Sequence, residues 1–291
     1  MNLRRALGAA LLSALVLAAC GDDDTGPVAD PPEPGATEHP TCANELVLQI
    51  STAGGLAAPP LAAIPQISVY GDGRVIVVGP TTLEYPGAAL PNLQQGLLSA
   101  EELDELVRGA EVAGLLAAEE PDYGDPGVTD MPTTEVTIDA GGVQRNVAAY
   151  ALDYTDGDDT LEPAQREARQ RLRDFLTVVD ADVATETYEA DAVAVFVRPY
   201  DPGEDRGPAP VPHEWPLGDL GDDGELVEGF GDTRCLVIEG ADAQTVLAAA
   251  GDASAGDPWS SGGVTYSVDF RPLLPDESRC DQLVPAQTAG A

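Results

Sequence analysis

The 291-residue chain contains no lysine, two histidines and four cysteines, and aromatic residues make up only 5% of it. Each scarcity removes a class of chemistry. Without lysine there is no Schiff-base or Ser-x-x-Lys catalysis, and His39 and His213 stand at ligand spacing neither from each other nor from a cysteine. No serine occupies a Gly-x-Ser-x-Gly elbow, so Ser260-Ser261-Gly262-Gly263 reads as a turn before a strand. After residue 19 no apolar run approaches the roughly 20 residues that span a bilayer. The 14 basic residues face 51 acidic ones, giving a formal charge of -37. So acidic a surface repels phosphate, which argues against nucleic acid and favours a cationic protein or a metal ion as partner.

What is present begins at the front. Arg4-Arg5 precedes an apolar run over residues 6–19, the order of charge and hydrophobicity in a secretory signal. Leu17-Ala18-Ala19-Cys20 resembles the lipobox of bacterial lipoproteins, in which cleavage precedes the cysteine and its thiol receives a diacylglyceryl group. That resemblance implies a signal peptide over residues 1–19 and lipidation of Cys20. Its acyl chains would enter the lipid bilayer and hold the protein, outside the cytoplasm, on the outer face of the cell membrane. Each buried methylene contributes about 0.8 kcal/mol, so two chains suffice for stable anchoring. Residues 20–43 are acidic and rich in Pro and Gly, which predicts an extended tether.

Beyond the tether the pattern is that of an α+β fold, a mainly antiparallel sheet with helices on one face, in one or two related modules over residues 44–185 and 186–291. Leu46 to Ile50 has strand composition, and Ile67 to Tyr70 turns through Gly71-Asp72-Gly73 into Arg74 to Val78 as a hairpin. Ser99 and Glu102 form a capping box ahead of Leu103, Leu106, Val107 and Ala110 at helical spacing. A second hairpin turns at Gly141-Gly142, and Leu161, Ala168, Leu172, Phe175 and Val179 mark a longer helix. The second module reads strand, strand, short helix capped by Asp242, strand. Two of its strands end alike, in Arg198-Pro199 and Arg271-Pro272, which suggests a weak internal repeat.

Candidate sites are few. With Cys20 set aside, Cys235 and Cys280 are the favoured disulfide, while Cys42 is open to either partner, to a free thiol or to an intermolecular bond. Calcium needs clustered oxygen ligands. Asp122, Asp125 and Asp130 are the candidate set, with further clusters around Asp153 to Glu162 and at Asp222, Asp223, Glu225 and Glu228. No other cofactor is indicated. Trp215 and Trp259 are expected as packed covers over the core rather than as a binding platform. Arg166, Arg169 and Arg173 fall on the helix side away from the apolar stripe, where they are expected to pair with surface acids.

Val69-Tyr70-Gly71-Asp72-Gly73-Arg74-Val75, the Leu-Ser-Ala-Glu-Glu-Leu-Asp-Glu-Leu stretch from Leu98, Thr129-Asp130-Met131-Pro132-Thr133-Thr134 and the Arg-Pro strand ends together resemble a family of uncharacterised surface lipoproteins of high-GC Gram-positive bacteria. The resemblance covers most of the chain after the tether and implies no activity or site. The sequence therefore leads to a non-enzymatic, lipid-anchored binding or scaffolding module. The alternative is an envelope hydrolase with a carboxylate or calcium-assisted site.

Overall fold

The computed structural model describes residues 37–55, 60–179, 182–204, 210–221 and 223–284. Their elements in chain order are β1 (Leu46–Gly54), β2 (Ile67–Tyr70), β3 (Arg74–Val78), β4 (Leu93–Leu97), α1 (Ala100–Ala113), β5 (Pro132–Ala140), β6 (Val143–Tyr150), α2 (Pro163–Val178) and β7 (Glu186–Thr187). There follow β8 (Ala192–Pro199), β9 (His213–Glu214), β10 (Glu225–Leu226), β11 (Arg234–Glu239), α3 (Gly240–Gly251), β12 (Pro258–Ser261) and β13 (Val264–Pro272). The fold is α+β and mostly sheet. Strands β1 to β7 form one antiparallel sheet in the order β6-β5-β1-β2-β3-β4-β7. The second sheet runs β10-β11-β8-β13-β12-β9 and is antiparallel except for β9 beside β12.

Local chemistry explains the first sheet and its helices. The β2–β3 turn needs Gly73, whose φ is 87° and whose missing Cβ would lie 2.5 Å from the Leu98 carbonyl. Strand alternation then sends Val75 and Val77 to one face and Ile76 to the other. On the first face Leu103, Leu106 and Val107 of α1 and Leu172 and Phe175 of α2 close the core over Val47, Val136 and Ile138. Each such buried side chain contributes roughly 1.5–3 kcal/mol. The capping box forms as the sequence predicts, with Ser99 N–H donating to Glu102 and Glu102 N–H to Ser99 Oγ. Residues 37–43, read from sequence as the end of the tether, pack onto this module: His39, Cys42 and Ala43 are buried, and Gly141 N–H donates to the Glu38 carbonyl.

The second sheet has apolar groups on both faces. Trp215, Trp259, Val195, Phe270 and the α3 residues Ala243 and Val246 fill one side, and Phe196, Cys235, Leu273 and Leu283 the other. The disulfide between Cys235 and Cys280 is present and fastens the segment after β13 to β11. Cys42 is disulfide-bonded as well. The two Arg-Pro strand ends differ in surroundings: Arg198 reaches the half-exposed Asp269, whereas Arg271 is buried against Glu277.

That buried pair belongs to the junction between the sheets. Tyr70 and Ile76, on the face of the first sheet away from its helices, pack against Leu274. Tyr70 Oη donates to Asp276 (2.7 Å), Tyr188 Oη donates to the Leu273 carbonyl (2.8 Å), and Leu274 N–H donates to Glu277 (2.9 Å). Burial pushes the Glu277 carboxyl up and the Arg271 guanidinium down, and each offsets the cost of the other. Removing one partner strands the other charge. Glu277→Gln should therefore lower the unfolding free energy by about 3–5 kcal/mol, whereas Arg271→Met with Glu277→Leu should recover most of it. Urea denaturation followed by circular dichroism measures both, and a fully stable Glu277→Gln would refute the assignment.

Candidate functional site

The residues expected to bind calcium do not gather. Asp122 accepts from Gly124 N–H (2.9 Å) and Gln165 Nε2 (2.8 Å), and Asp125 accepts from Gly127 N–H (2.8 Å). These bonds, with that from Gln165 the largest, hold the Asp122 carboxyl below its ordinary range. Asp130 is exposed with φ 61°. The carboxylates close turns and tie a loop to α2; among the described residues no three acidic, His or Cys groups form a metal-ligand set. The acidic run from residue 222 is divided, since Asp223 and the pair Glu225 and Glu228 line different cavities.

Two arginines of α2, Arg166 and Arg169, were expected to pair with surface acids and donate to backbone carbonyls instead. Arg169 is completely buried, and its guanidinium donates to the carbonyls of Tyr123, Tyr150 and Ala151. Arg166 donates to the Leu161 carbonyl. A buried guanidinium is tolerable only where its N–H groups find acceptors, and two loops supply them. Arg169 thus pins the ends of the segments around residues 123 and 150 to the helix.

Both histidines are held by aspartates. His39 Nε2 lies 3.3 Å from Asp104 on α1 and its Nδ1 lies 2.7 Å from the Pro40 carbonyl. His213 Nε2 lies 3.1 Å from Asp257 and its ring stacks on Trp259 at 5.0 Å. Asp257 also accepts from Val211 N–H (2.8 Å) and Ser254 N–H (2.9 Å). Burial alone would raise its pKa, but these donors outweigh burial and hold it below the usual Asp value. The arrangement braces two loops around the tryptophans. Trp259 and Trp215 are 1% and 8% exposed, set edge to face at 6.0 Å, and pack as core, as the sequence suggests.

One face of that aromatic core opens into a cavity of about 390 Å³, within the size range of ligand pockets. Trp215, Leu220 and Ile238 are its buried floor, while Asp219, Asp223, Glu239 and Asp242 are exposed at its rim. Three elements deliver the rim: the loop after β9, the end of β11, and the first turn of α3. Strand and helix are joined without a linker because Gly240 takes φ 62°. Asp242, expected as the helix cap, sits instead in the first turn, where the helix dipole favours its negative charge. Among the described residues no basic one lines the cavity. Of the rim, sequence inspection marks only Asp223 and Asp242, each for another role; Asp219 and Glu239 carry no local signal.

A larger cavity of about 510 Å³ lies beside the Cys235–Cys280 disulfide, walled by Glu225, Glu228, Asp281 and Leu226. It has no aromatic floor, and its wall includes Val284, the last described residue. The smaller cavity is the better-defined candidate. Compared with protein-family models, curated proteins and solved structures, the chain matches none.

Two outcomes follow from the Arg169 and Asp257 braces. Arg169→Met keeps volume but takes the guanidinium donor from the carbonyls of Tyr123 and Tyr150 and one of two donors from that of Ala151, which should cost about 3 kcal/mol in urea unfolding. Asp257 is stabilising while ionised, because its folded pKa lies below its unfolded one. Its contribution is therefore complete above the ordinary Asp pKa and is lost as pH falls through the lower folded value. Acid titration of tryptophan fluorescence should show a transition in that window that Asp257→Asn diminishes; an unchanged transition would assign acid sensitivity elsewhere.

Proposed function

We propose that the protein is a lipid-anchored, extracytoplasmic binding module whose second sheet presents the recognition site. The binding half of the reading rests on one observation, the acid-rimmed cavity over a tryptophan floor, in a chain whose charge of -37 already favours cationic partners. The anchoring half rests on the basic, apolar and Leu-Ala-Ala-Cys order of the first 20 residues, which lie outside the described part. Among the described residues no helix is long and apolar enough to cross a membrane. An acyl anchor supplies attachment without one.

A second reading keeps export but omits the lipid. It draws on the basic and apolar order of residues 1–19, which an ordinary secretory signal shares without a lipidated cysteine. The fate of the Cys20 thiol separates the two readings. On the first, metabolic palmitate should label the protein and membrane fractions should retain it, and Cys20→Ala should abolish both. Label persisting in Cys20→Ala, or no label on the parent protein, would overturn the anchor.

A further inference from the structure

We propose that β6 is an interaction edge, at which a second copy of this chain adds its own β6 in antiparallel register about a two-fold axis through Asn146. The surface is separate from the cavity beside Trp215 and from Cys20, so it goes beyond the binding-module reading and stands without it.

A sheet edge exposes a row of backbone donors and acceptors, and folded chains blunt it with brevity, proline, charge or a bulge. The first sheet ends in β6 and β7, the second in β10 and β9. Strands β7, β9 and β10 are each 2 residues long, whereas β6 has 8. It is also regular. Its pairing with β5 runs unbroken from Val143 to Tyr150, and Val-Gln-Arg-Asn-Val-Ala-Ala-Tyr holds no proline and no acid in a chain with 51 acidic residues. Its one charge, Arg145, donates to the Leu115 and Ala117 carbonyls. Ala151 N–H donates to the Pro132 carbonyl on β5, so strand alternation aims the backbone groups of Arg145, Val147 and Ala149 at β5 and those of Gln144, Asn146 and Ala148 outward. The side chains of these last three are exposed, and among the described residues β6 pairs with β5 alone. Tyr150, next along the edge, already accepts from Arg169 through its carbonyl, which closes that end. Each outward residue offers one N–H and one C=O. Setting Asn146 against Asn146 of a second copy places Gln144 opposite Ala148 and uses every one of these groups. The same register puts Arg145 opposite Val147, so no like charges meet. The free run is thus complementary to itself, which favours a second copy over an unrelated strand. The net charge of -37 opposes the encounter at low salt; at physiological ionic strength it is screened beyond about 8 Å, while backbone bonds persist.

The test uses the exported chain from residue 20 onward, purified free of intermolecular disulfides. Sedimentation equilibrium should show a reversible dimer that tightens as salt rises, the opposite of an ionic interface. Hydrogen exchange at the Gln144, Asn146 and Ala148 amides should slow as protein concentration rises, while Arg145 and Val147, already held by β5, should not change. Asn146→Glu sets two carboxylates face to face on the axis and should weaken the dimer about tenfold; Asn146→Arg should do the same with two cations. Mixed in equal amounts, the two variants should recover association, because each charge then meets its opposite. Both give up an exposed bond from Asn146 to Thr137 Oγ1, which mixing does not restore, so recovery reports the axis itself. Thr187→Glu adds the same charge at an exposed position of β7, on the other edge of the same sheet, and should leave association unchanged. A monomer at every concentration and salt, or exchange at the three amides that ignores concentration, would overturn the edge as an interface. Equal weakening by Asn146→Glu and Thr187→Glu, or no recovery on mixing, would overturn the pairing about Asn146.

Discussion

The seam between the two sheets is organised around a buried charge pair. Arg271 and Glu277 sit where the open face of one sheet meets the segment leaving the other, flanked by Tyr70 and Asp276. A purely apolar junction would bind the halves without fixing their angle, since hydrophobic contact has little directional preference. Here the guanidinium, the carboxylate and the two tyrosine hydroxyls need particular partners. Arg271 Nε, buried without an acceptor among the described residues, shows that the match is incomplete. The junction exchanges some stability for a defined orientation.

The aromatic group beneath the cavity depends on similar discipline. Trp215, Trp259, Phe270 and His213 pack ring to ring, and a single carboxylate, Asp257, collects the loops that carry them. The cavity floor is thus rigid, while its rim is made of short exposed side chains on a loop, a strand end and a helix start. Such a division places shape in the core and charge at the solvent, where exchanging one acid for another has little effect on folding.

Much of the fold is legible in the sequence because it is written in periodicity. The β2–β3 hairpin, the capping box at Ser99, the apolar stripe of α2 and the β5–β6 hairpin all announce themselves locally. Strand β4 does not: Leu-Gln-Gln-Gly-Leu has no alternation of apolar residues, and it becomes a strand by pairing with β3 and β7. Ser260 and Ser261 read with Gly262-Gly263 as a turn, yet they lie with the buried Trp259 in a strand. Arg169 lies on the polar side of its helix by counting, and is buried because distant carbonyls surround it. The cavity was less legible still, since Asp219 and Glu239 resemble dozens of other acids until the chain bends them to one rim.

The Cys235–Cys280 bond reaches further than the 45 residues it spans. One end lies in β11, the strand that continues into the cavity wall; the other follows the segment that carries Leu274, Asp276 and Glu277 to the junction. Both the cavity wall and the seam between the sheets are therefore tied to one covalent link. In a reducing environment the tail loses that link, and its docking rests on the packing of Leu274 and Leu283, the hydrogen bonds from Tyr70 and Tyr188, and the Arg271–Glu277 pair. Closing the seam and oxidising this thiol pair become, in effect, the same event.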